Sequence, residues 1–398
     1  MDITISPGQL SGTVQPGASK SLLHRYLICA ALSDRPTYIH CGRSCDDVDA
    51  TIDCLNAIGA HIQKTDDGYF VTPVTEIPSQ VVLKCRESGT TLRLLLPIVG
   101  ALGIDTIFHL SGSLTSRPIT PLLTELHRMG CNIYKSEENT IRCSGRLQSG
   151  AYTIDSSISS QFVSGLLMAL SLISGENSLF VVGQTESKPY IQMTRQVLTE
   201  FGVYYDGDCV NGSYPLNSPR IIYVEADWSS AAFFMAANSL NNKLNVLNVT
   251  EDSLQGDRVV TKYLQMLEKH CTIDIADTPD LLPVLSVVAA ARQGAIFCGI
   301  HRLQYKESNR IESICSMLQN LGIDVSAAEN SLTVKAGKFR ACTIDSFGDH
   351  RIAMAAAIAA TAADGPITIL NAQCVSKSYP HFWAEYRNLG GSYAQHIR

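Results

Sequence analysis

The chemistry-bearing residues of this chain begin at Lys20-Ser21-Leu22-Leu23-His24-Arg25. Lys20 and His24, like Ser21 and Arg25, stand four apart and share one stripe of a helix. Ser19 is placed to cap that helix, and the run from Leu22 to Leu32 is apolar on nearly every side, the pattern of a buried helix. Cations at a helix start oppose the dipole, which favours anions there by about 0.3–1 kcal/mol per charge, so a bound anion is implied. On one helix alone, solvated or ion-paired side chains explain Lys20 and Arg25 better than a bound anion does. Repetition of the arrangement along the chain decides against that.

Five further apolar helices have polar starts. Glu87-Ser88-Gly89-Thr90-Thr91-Leu92-Arg93 has a glycine that lets backbone N–H groups approach a ligand, with an arginine one turn on. Ser156-Ser157-Ile158-Ser159-Ser160-Gln161 is a hydroxyl-rich start suited to phosphate oxygens. Asp227-Trp228-Ser229-Ser230 is explained by capping alone, whereas Asp280 in Asp277-Thr278-Pro279-Asp280 reads equally as a cap or a catalytic carboxylate. Gly348-Asp349-His350-Arg351 again places a cation at the positive end of a dipole. Loops in matching positions add Arg117, Lys188, Lys306, Arg310 and Lys377. Guanidinium forks and amide nests fit small molecules carrying phosphate and carboxylate.

The elements that must position these groups recur. A helix end, a glycine and a strand repeat at Gly59, Gly130, Gly202, Gly322 and Gly390, with Cys271 in the remaining slot. A second junction, from an apolar helix into a strand, also appears six times, giving six units of the form β-α-β-α-β-β. Three buried helices make one core, so two α/β domains of three units are expected, with a boundary near Glu225-Ala226-Asp227. The length of 398 residues agrees with two domains. A net charge of −6, from 31 basic and 37 acidic residues, argues against a nucleic-acid or anionic-membrane surface, so any anion site is a local concentration of charge. The first residues lack a signal-peptide pattern and no run has transmembrane length, so a cytoplasmic location is expected. The 13 cysteines are scattered without a C-x-x-C pair and read as reduced, mostly buried thiols, not zinc ligands or a disulfide framework.

Lys20-Ser21-x-x-x-Arg25, Ser88-Gly89-Thr90-Thr91-x-Arg93, Arg117-Pro118, Ser159-Ser160-Gln161, Ser187-Lys188-Pro189-Tyr190, Asp280, Lys306-Glu307-x-x-Arg310, Asp349-His350-Arg351 and Lys377 occur in this order. Together they cover nearly the whole chain, which resembles the 5-enolpyruvylshikimate-3-phosphate synthase family of enolpyruvyl transferases. The resemblance implies two domains, 19–226 and 1–18 with 227–398, whose buried helices point to a cleft that closes on substrate. It implies transfer of the enolpyruvyl group of phosphoenolpyruvate to the 5-hydroxyl of shikimate 3-phosphate, on the route to chorismate and aromatic amino acids. No metal or organic cofactor is implied, and a monomer is expected.

Carried over by position, the shikimate 3-phosphate ligands are Lys20, Ser21, Arg25, Ser159, Ser160, Gln161, Ser187, Tyr190, Asp280 and Lys306. Those for phosphoenolpyruvate are Lys20, Gly89, Arg117, Gln161, Arg310, Arg351 and Lys377, with Arg93 in support. The catalytic set is Asp280 as base, Glu307 as acid and Lys20, with Lys306 able to share the proton traffic. Arg302 and Glu87 stand where many members carry asparagine. The related transferase acting on UDP-N-acetylglucosamine has a cysteine in the loop written here Ser111 to Arg117, which contains none. A noncatalytic polyanion-binding protein would need the cations but not Asp280 and Glu307.

Overall fold

The structure is a computed structural model and describes residues 1–42, 44–136 and 139–396. The chain divides into two compact units, Ala18–Val224 and Met1–Gly17 with Glu225–Arg398. Each is built around three helices buried over most of their length. In the first unit these are Lys20–Ala31, Gly89–Leu102 and Ser160–Leu170. In the second they are Trp228–Asn238, Leu282–Ala291 and His350–Ala360. Residues such as Leu92, Leu94, Leu95, Leu96, Ile98 and Val99 leave no polar face for solvent, so such a helix is stable only inside a core. Polar groups are left to the helix starts, where backbone N–H groups need partners.

Four of the six buried helices connect two strands paired in parallel, whereas the Lys20–Ala31 and Trp228–Asn238 helices link strands of different sheets. Gln80–Arg86 runs parallel to Asp105–Leu110 across the Gly89 helix, and Thr140–Gly145 and Cys131–Ser136 follow as antiparallel neighbours. The same order recurs for Ala151–Asp155, Asn177–Val182, Cys209–Asn211 and Tyr204–Asp206, and for Cys271–Asp274, Ala295–Cys298, Ser331–Val334 and Val325–Ala328. The chain also closes on itself within each unit. Ile221–Tyr223 pairs with Thr37–His40, and Asp2–Ser6 inserts between Ile367–Leu370 and Ser392–His396.

One repeat is abbreviated. Six complete units were expected, but among the described residues the fourth sheet consists of Ser11–Val14 and Lys243–Val246 alone. Only Leu267-Glu268-Lys269-His270 separates the helix Val260–Met266 from Cys271, too few residues for a hairpin. The strand that Cys271 opens serves instead as the first strand of the following sheet.

Close helix contact brings the helix starts together. A Cβ on Gly165 would lie 2.2 Å from the Arg93 carbonyl oxygen, so the Gly89 and Ser160 helices meet at backbone distance only because that position is glycine. All thirteen cysteines are free thiols. Among the described residues no helix is long and apolar enough to cross a membrane.

Candidate functional site

In the Ala18–Val224 unit the sequence places Arg25 six residues into an apolar helix, and the fold surrounds it with neutral oxygens. Its Nε donates to Thr194 Oγ1 at 2.7 Å, Nη1 to the Ser21 carbonyl at 2.7 Å, and Nη2 to Ser164 Oγ at 3.3 Å and the Tyr190 carbonyl at 3.2 Å. Burial pushes the Arg25 guanidinium down to about 10, which leaves it charged at neutral pH. A buried cation held by dipoles without a carboxylate favours an incoming anion. Lys20, the first residue of the same helix, donates to Asp47 Oδ2 at 3.0 Å. Ser19 occupies the cap position, yet its hydroxyl makes no capping bond and is buried without a hydrogen-bond partner, contrary to the capping role expected of it.

The other two helix starts are tied by Arg93. Its Nη1 donates to Gln161 Oε1 at 2.9 Å, its Nη2 to the Pro118 carbonyl at 3.3 Å, and the guanidinium lies 5.4 Å from the Phe162 ring centroid. Gln161 Nε2 in turn donates to Thr90 Oγ1 at 2.8 Å, which fixes the amide in one orientation. Ser88 caps the Gly89 helix by accepting from the Thr91 N–H, and Ser159 caps its own helix by accepting from the Gln161 N–H. Arg117 lies against Gly89, where a Cβ would come within 2.8 Å of Nη1. Ser160 and Ser187 are buried at helix starts, Ser187 with φ 56°. Ser156, one of the four hydroxyls in its run, is spent on Thr185 Oγ1 at 2.9 Å.

In the other unit the charged residues converge on one carboxylate. Asp280, in the 3₁₀ turn Pro279–Leu281, accepts from Arg310 Nη1 at 2.8 Å, Arg351 Nη2 at 2.9 Å and Lys306 Nζ at 3.4 Å. Of the two readings left open for Asp280, capping is not met, because the helix Leu282–Ala291 begins without a side-chain cap. Arg310 is fully buried and also binds Asp349 Oδ2 through Nε at 2.9 Å and Glu307 Oε2 through Nη2 at 2.5 Å. Asp349 meanwhile caps its helix by accepting from the Arg351 N–H at 2.9 Å. Lys377 donates to the Gly348 carbonyl at 3.0 Å, at the same helix start.

Burial raises the proton affinity of Asp280, but Arg351, Lys306 and Arg310 outweigh it and hold the carboxyl well below its usual range. Lys306 is lowered, chiefly by burial, with Asp280 opposing. For Arg310 the three carboxylates overcome burial and raise it.

Sequence patterns did not single out several groups that hold this arrangement. Asp47 lies in an acidic first turn, which the helix dipole already favours, and only the packing of two helices shows that it meets Lys20. Asp257 carries no periodic signal. It is buried, accepts a hydrogen bond from Ser229, and is pushed up to about 7 by burial and then by Asp280. Arg302 is buried, and the Glu87 carboxylate packs against Gly112. Among the described residues no group of three or more His, Cys, Asp or Glu side chains is disposed to hold a metal ion.

Comparison with known proteins gives a consistent result. The family model described as EPSP synthase (3-phosphoshikimate 1-carboxyvinyltransferase) matches residues 5–386. Curated relatives named 3-phosphoshikimate 1-carboxyvinyltransferase include one from Clostridium beijerinckii, 34% identical, covering 98% of this chain and 98% of the relative. Another, from Clostridium kluyveri, is 32% identical and covers 98% of this chain and 97% of the relative. A solved structure of EPSP synthase from Acinetobacter baumannii superposes with a TM-score of 0.80 at 24% identity. That match covers 99% of this chain and 100% of the other, and bears on the fold alone.

Proposed function

The chain belongs to the EPSP synthase family, and on that premise we propose that the groups gathered in its two units bind and convert phosphoenolpyruvate and shikimate 3-phosphate. The protein is a transferase of aromatic amino acid biosynthesis that moves the enolpyruvyl group of phosphoenolpyruvate to the 5-hydroxyl of shikimate 3-phosphate and releases phosphate. Each substrate brings a carboxylate and a phosphate, roughly three negative charges near neutral pH. The concentration of buried cations is suited to that load.

Ser21 and Arg25 hold the shikimate carboxylate, Ser159, Ser160 and Ser187 its phosphate, and Tyr190 lines the pocket. Lys306 and Asp280 reach the ring hydroxyls. Lys20, Gly89, Arg117, Gln161, Arg310, Arg351 and Lys377 surround phosphoenolpyruvate. In the first step the 5-hydroxyl oxygen attacks C2 of the enol, loses its proton to Asp280, and C3 gains a proton from Glu307. The tetrahedral adduct then loses a proton from the new methyl group as the C2–O bond to phosphate breaks. The same acid and base serve both directions of proton transfer, and Lys20 and Lys306 assist.

Held so acidic by three cations, Asp280 is a weak base before substrate arrives. The carboxylate and phosphate of phosphoenolpyruvate compete for Arg310 and Arg351, which weakens their hold on Asp280 and raises its basicity when a base is needed. The same cations then face the charge that develops on the departing phosphate. The reading includes a monomer in the cytoplasm that uses neither metal nor organic cofactor.

The observation that carries this reading is the convergence of Lys306, Arg310 and Arg351 on the carboxylate of Asp280, since an anion store would gain nothing from a carboxylate at its centre. The test is phosphate release by the purified protein from phosphoenolpyruvate with shikimate 3-phosphate, and separately with UDP-N-acetylglucosamine. Release with the first acceptor alone is expected. Release with the second, or with neither, would defeat the assignment.

A further inference from the structure

A line of buried hydroxyls and one imidazole runs across the starts of three helices in the Ala18–Val224 unit. His24 Nδ1 lies 2.7 Å from Thr51 Oγ1, Thr51 Oγ1 lies 2.7 Å from Thr91 Oγ1, and Thr91 Oγ1 donates to Ser88 Oγ at 2.7 Å. His24 belongs to the Lys20 helix, Thr51 to the helix Asp46–Ile58, and Thr91 to the Gly89 helix that Ser88 caps. His24, Thr51 and Thr91 are 0% exposed and Ser88 is 1% exposed, so none meets a substrate.

Each end of the line adjoins groups assigned above to phosphoenolpyruvate. Lys20 is one turn before His24, and its partner Asp47 is one turn before Thr51. Thr91 Oγ1 also lies 3.4 Å from the Asp47 carbonyl. At the far end, Ser88 immediately precedes Gly89, whose missing side chain leaves space for Arg117. Apolar contacts let helices slide against one another at little cost, whereas a hydrogen bond near 2.7 Å fixes both distance and direction.

We propose that His24, Thr51, Thr91 and Ser88 form a positioning chain that fixes the start of the Gly89 helix, and with it Arg117, in register with the Lys20–Asp47 pair. This rests on the reading of Lys20, Gly89 and Arg117 as phosphoenolpyruvate ligands. The proton order along the chain follows from its end. Because Thr91 donates to Ser88, Thr51 donates to Thr91, and His24 donates through Nδ1–H. His24 then carries a proton on Nδ1, while Nε2 is a buried atom that has no hydrogen-bond partner. Burial, with Lys20 and Arg25 adjacent, lowers its proton affinity well below the usual histidine range and keeps it neutral.

Thr51→Val keeps the shape of the side chain and removes the central hydroxyl. The expected result is a KM for phosphoenolpyruvate raised about five- to tenfold, with the KM for shikimate 3-phosphate within about twofold of the wild type. Thr51→Ser restores the wild-type value, and Thr91→Val reproduces the split. Unchanged KM values in folded valine variants, an equal rise for both substrates, or no rescue by serine would overturn the chain. Should both valine variants fail to fold, ¹⁵N NMR of His24 in the wild-type protein decides. A proton on Nδ1 supports the proposal, and a proton on Nε2 defeats it. Wild-type protein that releases no phosphate from the two substrates defeats the functional reading itself, whereas active wild type with indifferent variants defeats only this inference.

Discussion

Replacing Gly89 with alanine separates substrate binding from stability. Gly89 is the first residue of its helix and its φ lies outside the left-handed region, so alanine fits the backbone and gains up to about 1 kcal/mol of helix propensity. The new methyl group, however, would stand 2.8 Å from Arg117 Nη1, 3.4 Å from its Cζ and 3.7 Å from Arg93 Nη1. Carbon needs about 3.5 Å from such an atom, so the nearest nitrogen must retreat by about 0.7 Å. That displacement takes a charge-assisted hydrogen bond out of alignment, at a cost of about 1.5–3 kcal/mol, or roughly 10- to 150-fold in affinity. The expected outcome is that much rise in KM for phosphoenolpyruvate, a KM for shikimate 3-phosphate within about twofold of wild type, and an unchanged or slightly higher Tm. The assay is steady-state phosphate release with each substrate varied in turn, beside thermal unfolding of both proteins. An unaltered phosphoenolpyruvate KM would refute the steric argument. A Tm several degrees lower would show that the glycine serves the fold, not Arg117.

Arg310→Met leaves Asp280, Glu307 and Asp349 clustered without their shared cation, and urea unfolding should show a loss of about 3–5 kcal/mol. A loss below 1 kcal/mol would mean the three carboxylates do not depend on it. Asp280→Asn should lower kcat by about 10²–10⁴-fold, and a drop of less than tenfold would remove it as the base. His24, held neutral, lacks the proton that the unfolded chain binds below 6.5, so its contribution to stability falls as pH drops through that value by about 1.4 kcal/mol per unit. Asp257, pushed up to about 7, works the other way, because between 3.8 and 7 the folded protein holds a proton the unfolded chain has lost. Between pH 5 and 6.5 the slope of stability against pH should therefore be less positive in His24→Asn and more positive in Asp257→Asn than in wild type. Identical slopes by denaturant unfolding would contradict both shifts.

The sequence by itself determined the helices and their polar starts. Leu92 to Ala101 has no solvent-compatible face, so it had to be interior, and a glycine such as Gly59, at φ 111°, ends a helix wherever it follows one. Ordered spacing of Lys20, Arg25, Gly89, Arg93, Gln161, Lys306, Arg310 and Arg351 carried the resemblance to the family, because residue type and offset survive in one dimension. Tertiary structure decided which partner each charge takes. Lys20 meets Asp47, 27 positions away, and Arg310 meets Asp349, 39 positions away, by the packing of separate helices. It also withheld a capping role from Asp280, denied Ser19 its cap, and cut the fourth repeat to two strands. Local pattern fixes what a side chain can offer, but the energy of a buried charge depends on neighbours that only folding brings within a few ångströms.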